Sequence, residues 1–275
     1  MRIALTGASG IVGGFVLRAA RAAGHQVTCL DRSTGFQLGD TPDLAGHDAL
    51  IHCAFAHEPG RYRGGEGDDP GRFLRLNSDG SLRLFDAAAR DGVGRVVFLS
   101  SRAVHDGHPA GTALPDDLPA RPANLYGQVK AEAEAHLARL PVAGTAIRAT
   151  GVYGHPGKWH DLFVDYRAGR PIPPRVATEV HGDDLAAAIL LLLNHPDPPR
   201  QVNCSDLILD RHDLLAAVQA LTGCPHPLPA RSDPLPLRIQ TCDRLRSLGW
   251  QPGGMAKLRA ALPDLLSSSE KYPRG

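Results

Sequence analysis

The sequence predicts an α/β protein: a doubly wound parallel sheet followed by a smaller C-terminal substrate-binding region. Three observations carry that expectation. Short apolar runs alternate with helix-length segments through the first half, a glycine-rich stretch joins the first run to the first such segment, and the texture changes after Gly154. Strand and helix in strict alternation imply βαβ units, which build a parallel sheet with helices on both faces.

In chain order, strands are expected at residues 3–6, 27–30, 49–53, 96–99 and 145–148, each an apolar run bounded by Gly, Asp or other turn formers. Helices are expected at 11–23, closed by Gly24, and at 73–90 and 126–140. At roughly 150 residues per domain, the 275 residues divide into a nucleotide-binding domain over 1–153 and a smaller region over 154–275 with segments returning to the sheet. Prolines cluster in that second region, at Pro171, Pro173 and Pro174 and again over 225–236, and helices are expected at 184–194 and 211–221.

Composition narrows the function. Thirty Lys+Arg against 29 Asp+Glu leave a net charge of +1, and no run of five like charges occurs, so neither a nucleic acid nor a membrane surface is the expected partner. The five cysteines are odd in number and form no C-x-x-C pair, which argues against a disulfide framework or zinc ribbon and for a reducing, cytoplasmic setting. Residues 1–6 read as a strand and not as a leader, and the longest apolar run, 185–193, is too short to span a bilayer.

Thr6-Gly7-Ala8-Ser9-Gly10-Ile11-Val12-Gly13 follows the first strand and opens the first helix. Glycine there permits a tight turn, close backbone approach to a pyrophosphate and close helix–strand packing, while the helix N-terminus offers N–H groups to the phosphates. Asp31 ends the second strand 18 residues past Gly13. Its carboxylate suits a ribose diol and so favours NAD, whereas Arg32 beside it suits the 2′-phosphate of NADP; a plain turn cap is the alternative for Asp31. The sheet is therefore expected to be of Rossmann type.

Tyr126 and Lys130 stand four apart on an Ala- and Glu-rich segment and share one helical face. An ammonium beside a phenol stabilises the phenolate, whose conjugate acid titrates near ~10 in water, and so suits acid/base catalysis. Ser101 ends the fourth strand, at the sheet edge where ligands bind.

These residues resemble the extended short-chain dehydrogenase/reductases of the NAD-dependent epimerase/dehydratase family. The resemblance runs through TGASGIVG at 6–13, GD at 39–40, IHCA at 51–54 and NSDGSLRLFDAAARDGVGRVVFLSS at 77–101. It continues through YGQVK at 126–130 with Glu134, IRATGVYG at 147–154, VHGDDLA at 180–186, QVNCS at 201–205 and LGWQP at 248–252. It implies a catalytic triad of Ser101, Tyr126 and Lys130, the last also binding the nicotinamide ribose. It implies pyrophosphate contacts from Gly7, Gly10, Ile11, Val12 and Gly13, ribose contacts from Asp31 with Arg32 beside it and from Ala54, and an adenine contact from Asp40. It further implies a homodimer through the helices at 73–90 and 126–140, where Ala131, Ala133 and Ala135 would allow close packing; a monomer with a buried helix reads the same.

The chain departs from that family in three places. Gly151 stands where nucleotide-sugar members carry Asn, Ala177 where they carry an Arg, and the span from Asp40 to His52 leaves no room for a third helix. All three point to a small substrate and a single hydride step. The leading expectation is thus an NAD(P)-dependent oxidoreductase acting on a secondary alcohol or ketone, such as a sugar or sugar acid. The alternative is a sugar epimerase or dehydratase with tightly bound cofactor, and a third reading is a non-catalytic nucleotide sensor. His105 and His108 are expected as loop residues or substrate contacts and not as metal ligands, and no metal is expected. The loop over 57–70 is expected either as a plain solvated loop or as a clamp in which Arg61 or Arg63 meets a substrate anion. Trp159, His160, Phe163 and Arg175 are candidate pocket residues.

Overall fold

A computed structural model describes residues 1–58, 64–155 and 157–267; the expected clamp residues Arg61 and Arg63 and the serine-rich tail beyond Ser267 lie outside them. The elements run β1 (Arg2–Thr6), α1 (Ile11–Ala22), β2 (Gln26–Leu30), β3 (Ala49–His52), α2 (Pro70–Leu74), α3 (Gly80–Arg90), β4 (Arg95–Ser101), β5 (Ala113–Leu114), α4 (Leu125–Leu137), β6 (Ala143–Ala149) and β7 (Gly151–Tyr153). They continue with α5 (His160–Arg167), β8 (Val176–His181), α6 (Gly182–Asn194), β9 (Gln201–Cys204), β10 (Leu207–Asp210), α7 (Arg211–Thr222), β11 (Ile239–Gln240), α8 (Asp243–Ser247) and α9 (Gly254–Ser267).

Six strands form one parallel sheet in the order β2-β1-β3-β4-β6-β9. The order reverses at β1, so the crevice outside the carboxyl ends of β1 and β3 is the expected ligand site. One face is covered by α1 and α6, whose Phe15, Val16, Leu185 and Ile189 pack with Ile3, Leu5 and Val202 of the strands. On the other, Leu84 and Phe85 of α3 and Ala133 and Leu137 of α4 pack on Leu50, Val96 and Phe98. Ala133 is thus turned into the protein's own core while Ala135 is exposed, so the alanines of α4 do not share one outer face.

The connection over residues 31–48 holds only a tight 3-10 turn, Arg32–Thr34, and no third helix, which leaves β2 as the edge strand. The helix expected at 73–90 starts earlier, at Pro70, with Asp69 capping the Arg72 N–H at 2.7 Å, and Pro suits that first position. Between α2 and α3 the backbone widens into a π turn, Arg75–Asp79. There Asn77 turns inward, its Oδ1 accepting from Ala56 N at 2.8 Å and its Nδ2 donating to Ala56 O at 2.7 Å, which pins the segment leaving β3.

The second half of the chain does not stay apart from the first. Segment β9 is the sixth strand of the main sheet and α6 packs on α1, while β10-β8-β7 form a separate three-stranded sheet backed by a third core of Tyr153, Phe163, Leu215, Val218 and Leu258. No helix among the described residues is long and apolar enough to cross a membrane.

Candidate active site

A cleft of about 1080 Å3 runs along the carboxyl ends of the main sheet and is bounded on its far side by the small sheet. At one end the loop after β1 makes its floor. Gly7 adopts φ +73°, and a Cβ there would lie 2.6 Å from Ala54 N; a Cβ on Gly13 would lie 2.0 Å from Gly7 O. Only glycine lets loop, helix and the β3 end meet this closely. Helix α1 has Gly10 at its N-cap with no side-chain cap and no acidic residue in its first turn, so its leading N–H groups and positive dipole end face the cleft uncompensated. Gly7, Gly10, Ile11, Val12, Gly13 and Ala54 all line it, and this cradle fits a dinucleotide pyrophosphate.

Asp31 and Arg32 line the same end. Asp31 is also a turn cap: its Oδ1 accepts from Ser33 N at 2.9 Å, Ser33 Oγ at 2.5 Å and Thr34 N at 3.3 Å, and the Ser33 hydroxyl holds the carboxyl below its usual range. Both roles considered for Asp31 are therefore compatible, with Oδ2 outside those bonds. Asp40 differs: it is exposed, off the cleft wall, and its Oδ2 accepts from Gln37 N at 2.7 Å. Gln37 and Leu38 line the cleft in its place, because the short 31–48 connection folds back on itself.

A buried polar chain locks the strand ends together. Thr6 Oγ1 lies 2.6 Å from His52 Nδ1, His52 Nε2 lies 3.0 Å from Ser81 Oγ, and Ser81 Oγ donates to Asn77 O at 2.6 Å. Burial, then the Lys130 charge, pulls His52 down to about 3, so the ring is neutral. With the Ser81 proton spent on Asn77, His52 carries its proton on Nε2 and accepts from Thr6 at Nδ1. Thr6 Oγ1 in turn accepts from Ala54 N at 3.2 Å, which fixes the backbone beside Gly7.

Ser101, Tyr126 and Lys130 line the middle of the cleft. Asn124 caps α4 by accepting from Gly127 N at 2.9 Å, and starting the helix there sets Tyr126 in its first turn. Lys130 is buried; its Nζ donates to Leu99 O at 2.8 Å and lies 4.6 Å from the centroid of Phe55 and 4.7 Å from that of Phe98. Burial pulls this ammonium down to about 7. Phe55 also meets Tyr126 edge to face at 5.1 Å, so one aromatic ring holds both helix residues; its place just past the IHCA stretch was the available sequence signal. Ser101 Oγ accepts from Ala103 N at 3.2 Å at the head of a 3-10 turn. Behind it Ser100 Oγ donates to Glu134, whose carboxylate also binds Arg148, 2.7 Å from Arg148 NH2, in a buried pair that ties α4 to β4 and β6. Cys53, on the same wall, has its thiol pushed up to about 12 by burial and is no nucleophile at neutral pH.

His105 is fully buried, off the cleft wall, with Nε2 3.1 Å from Arg148 NH1, and His108 Nε2 lies 3.0 Å from Pro119 O. Both rings thus meet groups of the protein itself, and no group of three or more His, Cys, Asp or Glu that could hold a metal ion occurs among the described residues.

The far wall holds groups that sequence reasoning missed. Glu179 is buried, lines the cleft, and pairs with Lys158 Nζ at 3.1 Å. A Cβ at Gly151 would lie 2.3 Å from Glu179 Oε2, so the carboxylate fills the space that a side chain at 151 would take. No local pattern signals this, since the two residues meet only through the β7–β8 register. Arg175 lines this wall, as do Ala177 and Arg238; Phe163 is in the small core and not on the cleft.

Residues 3–165 match the NAD dependent epimerase/dehydratase family. A UDP-glucose 4-epimerase of Corynebacterium glutamicum is 26% identical, over 92% of this chain and 91% of its own. GDP-6-deoxy-D-mannose reductase of Pseudomonas aeruginosa is 34% identical over 62% of this chain and 58% of its own. The structure of Thermus thermophilus UDP-glucose 4-epimerase in complex with NAD shares the fold with a TM-score of 0.75 at 23% identity, covering 96% of this chain and 99% of that one.

Proposed function

Because the chain belongs to the NAD-dependent epimerase/dehydratase family, we propose that it is an enzyme that holds NAD in this cleft and acts on a sugar as an epimerase or dehydratase. The observation that carries the reading is that Ser101, Tyr126 and Lys130 line the wall of the same cleft that the glycine loop opens. Bound nicotinamide supplies a hydride acceptor and donor. Tyr126 removes and returns the hydroxyl proton at its Oη, and Ser101 Oγ orients the same substrate oxygen. Lys130, held on Leu99 O, steadies the phenolate and binds the nicotinamide ribose. Asp31 favours the unphosphorylated adenosine ribose of NAD over NADP. Relatives named as 4-epimerases at more than nine-tenths coverage support cofactor-neutral chemistry over the net oxidation or reduction expected from the three departures. Net reduction is the competing reading, favoured by likeness to the GDP-6-deoxy-D-mannose reductase.

The test is to purify the protein, assay its bound dinucleotide, and offer hexoses and their nucleotide derivatives while following both product and the reduced-nicotinamide absorbance. Turnover with no stoichiometric change in that absorbance, abolished in Tyr126→Phe, is the expected result. Reduced cofactor accumulating one for one with product overturns it. Sedimentation of the same sample checks for the homodimer through α3 and α4.

A further inference from the structure

Glu179 is the one acid among the described residues of the small-sheet wall, and it faces two spaces at once: the cleft and an adjoining cavity of about 210 Å3 that shares Lys158, Arg175 and Ala177 with it. It sits on the middle strand of the small sheet, paired with Gly151 on one side and Leu207 on the other. Gly151 follows two residues after Ala149, which is the register partner of Ser101 in the main sheet. Two strand registers therefore tie the position of this carboxylate to that of Ser101.

The surroundings hold the group firmly and satisfy it only in part. Because Gly151 is bare, the whole carboxyl group lies against the β7 backbone: a Cβ there would stand 2.3 Å from Oε2 and 2.9 Å from Oε1. Lys158 Nζ donates to Oε2 at 3.1 Å, and the same ammonium lies 5.3 Å from the centroid of Trp159, the only non-glycine residue with positive φ among those described, at 62°. Backbone strain of this kind persists where the surroundings hold it and clusters at ligand sites. Oε1, by contrast, accepts nothing from the described residues and is not sealed off among them, so it opens onto the space that Glu179 lines. Arg175 and Arg211 line the cavity too, yet neither pairs with this carboxylate.

A carboxylate has about four lone-pair sites, and this one gives a single site to a donor of the protein. Glu179 is only 6% exposed. Polar groups buried this deeply take hydrogen bonds, and the donors left to supply them are those of the molecule that occupies the cleft.

We propose that Glu179 is the specificity-determining residue of the cleft and that it recognises a neutral pair of adjacent hydroxyls on the sugar. The inference rests on the reading of the cleft as a site of sugar chemistry and adds which part of the sugar is read. One hydroxyl donates to Oε1, while its neighbour donates to Oε2 and accepts from Lys158. An ammonium beside a carboxylate thus matches a diol, in which each hydroxyl is both donor and acceptor. Neither is the hydroxyl that Tyr126 deprotonates, so both epimers at the reacting carbon keep the pair. A sugar lacking one of the two leaves a deeply buried oxygen without its donor and is selected against.

Calorimetric titration of the NAD-loaded protein tests this without any turnover. Glucose, galactose and mannose are offered free and as nucleoside diphosphate derivatives, followed by the monodeoxy forms of whichever binds most tightly. Saturable binding of at least one sugar is expected, weakened about 10- to 100-fold by removal of either of two adjacent hydroxyls. Glu179→Gln should weaken the parent sugar by a similar factor and bind those two deoxy sugars within about threefold of the parent, since hydroxyl and carboxylate act as a pair. A merely structural role would lower the affinity for parent and deoxy sugars alike and keep the difference between them. If Glu179→Gln fails to fold with Lys158 left unpaired, Glu179→Gln combined with Lys158→Met removes both charges and gives the same reading, and the wild-type pattern stands by itself. No saturable binding, no adjacent pair of sensitive hydroxyls, or a deoxy penalty undiminished in the variant overturns the proposal. Failure of the wild-type protein to take up NAD would instead count against the function proposed for the cleft.

Discussion

The two walls of the cleft are built on opposite principles. On the side of the glycine loop the lining is backbone: Gly7, Gly10 and Gly13 lie close together in one loop and helix start, and the contacts they allow depend on the absence of a Cβ. The polar groups beneath them, from Thr6 to Asn77, are neutral and satisfied by one another. On the small-sheet side the lining is side chain: Lys158, the β8 segment with Arg175 and Glu179, and Arg211 bring ionisable groups from three separate stretches of the chain. A wall made of backbone tolerates almost no substitution, because its neighbours cannot move aside. A wall made of charged side chains can be rebuilt residue by residue, which suits the part of an enzyme that must distinguish substrates.

That contrast can be broken by experiment. Gly13→Ala sets a Cβ 2.0 Å from a backbone oxygen. It is expected to lower NAD affinity by more than about 100-fold, with a fall in Tm of several degrees, since packing strain of this kind costs about 1–3 kcal/mol or more; NAD titration and a melting curve measure both. Near-normal NAD binding would show that the loop can shift after all.

Tyr126→Phe removes one hydroxyl from the junction of the two walls. Turnover should fall by about 10²- to 10⁴-fold while NAD affinity stays within a factor of about three of wild type, well under one kcal/mol. Equal losses in both would place Tyr126 in binding and not in proton transfer.

Gly151→Ala sharpens the comparison, because its obstacle is a side chain. The added methyl meets Glu179 Oε2 at 2.3 Å, at an expected cost of about 1–3 kcal/mol in urea unfolding. Adding Glu179→Ala should return at least about 1 kcal/mol of that, a coupling of the size found for residues in contact. Strictly additive costs would mean that Gly151 is needed for its backbone alone.

The smallest effect expected is in acid. Burial holds His52 at about 3 and His105 at about 4, against an ordinary 6.5. Between those values and 6.5 the unfolded imidazole binds a proton that the folded one refuses, so stability is complete above pH 6.5 and falls as pH drops. Each histidine contributes at most about 1.4 kcal/mol per pH unit. Urea midpoints at pH 6.5 and 5.5 should differ less in His52→Gln than in wild type; an unchanged difference would show that His52 is not held neutral.

Much of the sheet was legible because buried parallel strands are short apolar runs: β1, β2, β3, β4 and β6 lie within two residues of the expected ends. The start of the helix at Pro70 was missed because the signal there is a cap, Asp69 followed by Pro, and not an apolar period. The elements α5, α8 and α9 were missed as well. Helix α8 is barely more than one turn and sends only Leu245 into the main core, while α5 and α9 pack together in the small core among the prolines, where periodicity is weak. Asp40 reads as a ligand contact in the motif, yet its carboxylate turns back to Gln37 N and it lies off the cleft wall, while Gln37 and Leu38 of the same connection line it.

By itself the sequence determined the parallel sheet, the glycine cradle and the single helical face that carries Tyr126 and Lys130. Each depends on residues close together in the chain, where turn geometry and helical spacing translate directly into position. Only the tertiary structure decided that Glu179 fills the space left by Gly151 and that Arg175 and Arg211 line one cavity with the Lys158–Glu179 pair. Those relations come from strand register and from packing between distant segments, and charge compensation is a property of the space the side chains share and not of their order along the chain.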